Sequence, residues 1–323
     1  MKEFRSRLAV VTGGGTGMGR ELVRQLAAEG CHVAMCDVSA DAMAETVALC
    51  ADDADRQGVR VTAHVADVSD EAQVLGFRDD VLAQHATETI NLLFNNAGIG
   101  GGGSLFANTR SEWEKTFNVC WGGVYLCTRA FLPMLVKADA GHIVNTSSVN
   151  GFWASLGPQL SHTAYAAAKF AVKGFTEALV TDLRLHAPHV TCSVVMPGHI
   201  GTSIVANSRK VHFATENPTM SAAELAQLRA RLAASGRDVS QVSDADLQAL
   251  LDTRARKFLD EAPMTAAEAA TVILDGVKAG RWRILVGSDA HHLDEMVRTA
   301  PEEAYETGFY ERFVAETGWR IGR

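Results

Sequence analysis

Tyr165 and Lys169 stand one helical turn apart in the stretch YAAAK, with only alanine between them. In a helix both side chains project from one face. A phenol with its ordinary pKa of about 10 is a poor base near neutrality. A cation within a few ångströms favours the phenolate and lowers that value by roughly 1–3 units, into the range of proton transfer. Helix is expected because AYAAAKFAVKGFTEALVTDLRLHAPH is rich in strong helix formers, repeats apolar residues at Phe170, Phe175, Leu179 and Leu183, and meets Pro188 at its end. By itself the pair is equally a partly buried ring beside a solvated charge.

Two further features carry chemistry. TGGGTGMG, with Thr12, Gly13, Gly17 and Gly19, follows a short apolar run and opens a helical pattern. A turn of this kind brings backbone N–H groups and a helix's positive end up to a pyrophosphate. Asp37 closes the next apolar run, at the interval where a carboxylate accepts hydrogen bonds from an adenosine ribose. His291 and His292 are adjacent, so they diverge on a helix, and with no further ligand spacing no metal is expected.

The elements that would position these residues alternate. Candidate strands are LAVVTG from 8, HVAMCDV from 32, VTAHVADV from 61, INLLFNNAG from 90, HIVNTSS from 142, VTCSVVMPG from 190 and RILVG from 283. Their nearly continuous apolar runs are those of parallel strands buried on both faces. The intervening stretches carry helix signals, among them capping-box spacings at Ser111 with Glu114 and Thr265 with Glu268. The fold class is therefore α/β, a doubly wound Rossmann sheet of seven strands with helices on both faces, and its chemistry belongs at the carboxyl ends of the strands.

With TGGGTGMG, NNAG at 95–98, Asn118 within a helix, NTSS at 145–148, YAAAK and PGHIGT at 197–202 in order, the chain resembles the short-chain dehydrogenase/reductase family over residues 6 to 202 and the last strand. That resemblance implies an oxidoreductase moving a hydride between NAD(H) and a secondary alcohol or ketone. It implies a catalytic tetrad of Asn118, Ser148, Tyr165 and Lys169. Tyr165 would exchange the proton, Ser148 would place the substrate oxygen, and Lys169 would lower the tyrosine pKa and bind the nicotinamide ribose. Asn118 would support a water leading to solvent. The implied cofactor site comprises Gly13, Thr16, Gly17, Met18, Gly19, Asp37, Asp67, Val68, Asn95, Ala97, Gly98, Pro197, Gly198, Ile200 and Thr202, with Tyr165 and Lys169. Asp67 would meet the adenine and Thr202 the nicotinamide carboxamide. Isomerisation or dehydration through a transient ketone, and a cofactor-binding regulator without turnover, are the competing readings.

The sequence departs from the family pattern in four places. Ser148 and Tyr165 are farther apart than the usual family interval, and Phe152, Trp153 and Leu156 of the extended loop are expected to line a substrate pocket, with packing on the core as the alternative. GIGGGG at 98–103 reads as mobile or as a structural turn. Residues 203–263 have room for two extra helices, begun by Ser221 and Ser243, and are expected to form a mobile lid over a bulky, largely apolar substrate. Residues 288–323 form an aromatic tail that packs on its own or a neighbouring subunit, within one domain spanning 1–323.

Composition sets the remaining bounds. The chain has 323 residues, 47% hydrophobic and 21% charged, the balance of a globular protein, and its net charge of -8 argues against nucleic acid as a partner. No bilayer-spanning stretch and no signal peptide are evident. Cys31, Cys36, Cys50, Cys120, Cys127 and Cys192 show no C-x-x-C spacing, which fits small buried residues in a reducing cytoplasm. A homodimer or homotetramer is expected by family analogy.

Overall fold

Strands buried on both faces need helices above and below them, and this chain supplies both in alternation. The computed structural model describes residues 2–321 other than Gln159, Glu216, Pro218, Ser235, Arg237 and Arg320. Gln159 of the extended loop and Arg320, Gly322 and Arg323 of the tail thus lie outside the described residues. The strands are β1 (Leu8–Thr12), β2 (His32–Asp37), β3 (Val61–Val65), β4 (Leu92–Asn95), β5 (Gly141–Thr146), β6 (Val190–Pro197), β7 (Ile200–Gly201), β8 (Met264–Thr265) and β9 (Arg283–Val286). All seven expected runs join one sheet in the order β3-β2-β1-β4-β5-β6-β9, every pairing parallel, while β7 and β8 pair separately. The order reverses between β1 and β4, where the diverging chain leaves a crevice beyond the carboxyl ends.

The helices are α1 (Gly17–Ala28), α2 (Ala40–Gln57), α3 (Glu71–His85), α4 (Arg110–Phe117), α5 (Gly123–Lys137), α6 (Thr163–His186), α7 (Ile204–Phe213), α8 (Ala222–Ala234), α9 (Asp244–Asp260), α10 (Ala266–Lys278), α11 (Ser288–Thr299) and α12 (Thr307–Thr317). Leu22 and Leu26 of α1, Met43 of α2 and Ile273 and Leu274 of α10 fill one face of the sheet. Phe77 of α3, Phe131 and Leu135 of α5 and Leu179 and Leu183 of α6 fill the other. The box at Thr265 and Glu268 forms as expected. At α4 the box is Thr109 with Glu112, two residues earlier than Ser111 with Glu114. Thr109 is still extended and so can cap, whereas Ser111 already lies inside the first turn. From Arg110 to Lys137 the helix is continuous, long and apolar enough by composition to cross a bilayer, contrary to expectation. Of its apolar window 56% is buried inside the fold, as in a core helix.

Both extra helices are present as α8 and α9, and a third, α7, precedes them. Met220, Leu225 and Leu247 make their small core. The tail turns back on its own subunit. Trp153, at 1% exposure, packs on Phe309 and Phe313, and its indole donates to the Ala304 carbonyl at 2.6 Å. Leu156 is buried in the same cluster and Phe152 packs against it. The aromatic residues of the extended loop therefore anchor the tail, where their apolar surface is buried against Phe309 and Phe313, and do not form a pocket wall.

Candidate active site

The start of α6 and the end of β5 meet where the sheet's carboxyl edge opens. Lys169 is 2% exposed, and its ammonium donates to the Thr146 carbonyl at 2.8 Å. That ammonium lies 5.3 Å from the centre of the Tyr165 ring. Ser148, buried, accepts from the Asn150 N–H at 3.1 Å and is hydrogen-bonded to Tyr165. The ring of His162 leans on that of Tyr165 at 4.7 Å. Sequence spacing thus brings Ser148, Tyr165 and Lys169 together.

Their electrostatics differ from expectation. Burial pushes the Tyr165 phenol well above its ordinary value, with the Ser148 hydrogen bond opposing it. Burial likewise pushes Lys169 down, opposed by Cys120. Both shifts favour the neutral forms of the two groups.

Asn118 is exposed, at the entry to a π-helical turn over Asn118–Gly122, as a residue that holds a water leading to solvent would be. The turn aims Cys120 inward. Its thiol is fully buried, donates to the Ile99 carbonyl at 3.2 Å and accepts from the Ile99 N–H at 3.4 Å. Its sulfur and the Lys169 ammonium flank the same point above Gly98, 3.6 and 3.5 Å away. The extra backbone of a π turn rotates the following side chains relative to a regular helix, a shift that residue spacing does not reveal.

The crevice beside this cluster has a volume of about 460 Å³. Gly13, Thr16, Gly17, Met18, Asp37, Asp67, Val68, Ala97, Gly98 and Thr202, all expected at a cofactor, line it. Its walls fit a dinucleotide. Gly13 has a φ of +68°, and a Cβ there would stand 2.9 Å from Ala97 Cα. The N–H of Gly15 donates to the Asp37 carboxylate at 3.0 Å, and that of Ser39 at 3.2 Å, which sets the carboxylate beside the glycine loop. Asp67 accepts from the Ser69 hydroxyl at 2.7 Å.

Five further residues expected at the cofactor help to frame this crevice. Asn95 is buried between sheet and helix, donating to Thr128 and Asn145, while its neighbour Asn96 lines the crevice. A Cβ at Gly19 would run into the Gly13 carbonyl, so Gly19 lets α1 approach the loop. Ile200 belongs to the core, and Pro197 and Gly198 hold the loop that carries Thr202. Sequence reasoning missed Asp289. This buried carboxylate at the start of α11 accepts from the His199 N–H at 2.7 Å and occupies the space a Cβ on Gly198 would need. Burial raises its pKa, and the backbone donors pull it back.

Residues 98–103 form a tied turn. The Gly100 N–H donates to Ser208 at 2.8 Å, its carbonyl meets His212 at 2.9 Å, and the Gly103 carbonyl accepts from the Thr163 N–H at 2.9 Å. Gly101 and Gly102 have φ of +115° and +60°, which explains the glycines. No group of three or more metal-ligating side chains occurs among the described residues.

Residues 7–212 match the profile of the family described as short chain dehydrogenase. SadH of Mycobacterium tuberculosis, named as an oxidoreductase, is 32% identical over 98% of this chain and 96% of its own length. Levodione reductase of Leifsonia aquatica is 34% identical over 70% of this chain and 80% of its own. A short chain dehydrogenase/reductase from Burkholderia phymatum, solved in complex with NAD, is 32% identical with a TM-score of 0.72, covering 94% of this chain and 95% of that one. An NADP complex also occurs among similar structures, that of a metagenomic short-chain oxidoreductase. By its sequence, its sheet order and its site, the chain belongs to the short chain dehydrogenase family of oxidoreductases.

Proposed function

We propose that the protein moves a hydride between NAD(H) and a secondary alcohol or ketone. The observation that carries this reading is the Ser148–Tyr165–Lys169 cluster beside a crevice shaped for a dinucleotide. The nicotinamide, when bound, supplies the carbon that gives or takes hydride. In reduction Tyr165 donates its proton to the oxygen as negative charge develops there, and Ser148 hydrogen-bonds the same oxygen to place it. In oxidation the same phenol, as phenolate, accepts the alcohol proton, and a cationic nicotinamide nearby favours that form.

Asp37 supports NAD over NADP, because its carboxylate would repel a 2′-phosphate. Arg20, the basic residue nearest the loop, is committed to the Gly15 carbonyl at 2.9 Å and to Glu45 at 2.8 Å. The reading of a bulky substrate rests on the helices α8 and α9 of the 203–263 insertion, since Phe152 and Trp153 pack with the tail. Exposed Tyr125 on α5 and Phe170 on α6 support association into a homodimer or homotetramer.

The experiment is a screen of secondary alcohols and ketones with both cofactors. Tyr165→Phe is expected to cut turnover by about two to four orders of magnitude while cofactor binding holds. Turnover within a few-fold of the parent would overturn the acid–base role. A kcat/KM ratio favouring NADP would mean that Asp37 does not face the ribose.

A further inference from the structure

The glycine loop brings backbone dipoles to the phosphates of a dinucleotide, while Arg20 just after it reaches Gly15, Thr46, Ala42 and Glu45 and is not among the residues that line the crevice. The crevice nevertheless has a charged wall. Its acidic side chains, Asp37 and Asp67, lie at the end of β2 and just beyond β3, and its two lysines, Lys115 and Lys210, lie on α4 and α7 across from them. Asn207, Lys210, Val211 and Ala214 line it together, the spacing of one helical face. Asn207 donates to the Thr16 hydroxyl of the glycine loop at 2.9 Å, which fixes that face against the loop. Lys210 is less than one turn farther along. Lys115 donates to the Val211 carbonyl at 2.6 Å and clamps the far end of the helix.

We infer that α7 is the second jaw of the cofactor site, with Lys210 supplying the positive charge for the dinucleotide pyrophosphate and Asn207 latching the helix to the glycine loop. The inference rests on the proposed NAD reading and extends it. It assigns the start of the 203–263 insertion to cofactor retention, where the sequence pattern had pointed to substrate cover.

Titration calorimetry on the whole protein tests it with ADP-ribose, NAD and adenosine. Lys210→Gln is expected to weaken ADP-ribose and NAD about tenfold or more, the scale of one lost charge-assisted hydrogen bond. Adenosine, which has no phosphate, should bind as before, and Lys210→Arg should keep most of the affinity. The dependence of ADP-ribose affinity on salt should also flatten in Lys210→Gln. Unchanged ADP-ribose affinity in Lys210→Gln overturns the inference while leaving the NAD reading intact, and so does an equal loss for adenosine, which would mark a structural defect. A parent protein that binds neither NAD nor ADP-ribose overturns both.

Discussion

At the scale of single residues, the site is decided by which side chain a backbone turn aims inward. Asn118 and Cys120 are two positions apart on one helix, yet one is exposed and the other fully buried beside Lys169. The thiol is pushed up by burial, with Lys169 opposing, so it stays neutral and braces the loop after β4 at Ile99 through both of its hydrogen bonds. Asn118→Ala is expected to leave stability within about 0.5 kcal/mol, as at other surface sites, and to lower kcat by removing the support of a water beside Lys169. Cys120→Ala, by removing both contacts to Ile99, should lower kcat. Steady-state kinetics on the two variants checks this; unaltered turnover in Asn118→Ala would remove the asparagine from the site, and unaltered turnover in Cys120→Ala would remove the brace at Ile99.

Elements carry the next decision, which concerns the C-terminal extension. Helices α11 and α12 bury Phe309, Phe313 and Trp319 against Trp153, and Asp289 ties the same extension to the loop that carries Thr202. The tail is thus continuous with the frame of the active site. Trp153→Ala should cost about 3–5 kcal/mol of stability, the range for a large aromatic removed from a core, with KM for the carbonyl substrate little changed. Urea unfolding together with KM checks this: a large rise in KM at near-parent stability would make Trp153 a pocket residue after all.

For the whole molecule, the balance of burial and charge sets its response to acid. His142 lies in the middle of the sheet, 1% exposed, between Ser193 and Thr191. Ser193 gives its one proton to the Arg281 carbonyl, so the ring's Nε2 is the donor to Ser193 and its Nδ1 accepts from Thr191. A neutral ring is satisfied at both nitrogens, and burial pushes its pKa down to about 3 from the usual 6.5. The folded value lies below the unfolded one, so the contribution is whole above the unfolded pKa and is lost as pH falls from 6.5 toward 3. At pH 5 this amounts to about 2 kcal/mol. Urea unfolding at pH 7 and pH 5 should show a loss in the parent exceeding that in His142→Asn by about that amount; equal losses would mean that the ring titrates normally.

Much of this was legible along the chain because it is local. Short continuous apolar runs bounded by turn residues read as strands buried on both faces, and their alternation with helix formers implies the parallel sheet and the crevice at its reversal. A turn's spacing places Tyr165 over Lys169, and a glycine loop after a strand places backbone N–H groups at the crevice. What the tertiary structure alone decided depends on partners far away in sequence. Trp153 faces the tail because Phe309 and Phe313 return to it. Asp289 holds Gly198 and His199 from some ninety positions downstream, and α7 meets Thr16 from 191 positions away. Periodicity tells which residues are apolar and which face they share. It cannot tell which of several apolar surfaces a side chain will cover, because that choice is a competition between contacts formed only when the whole chain has closed.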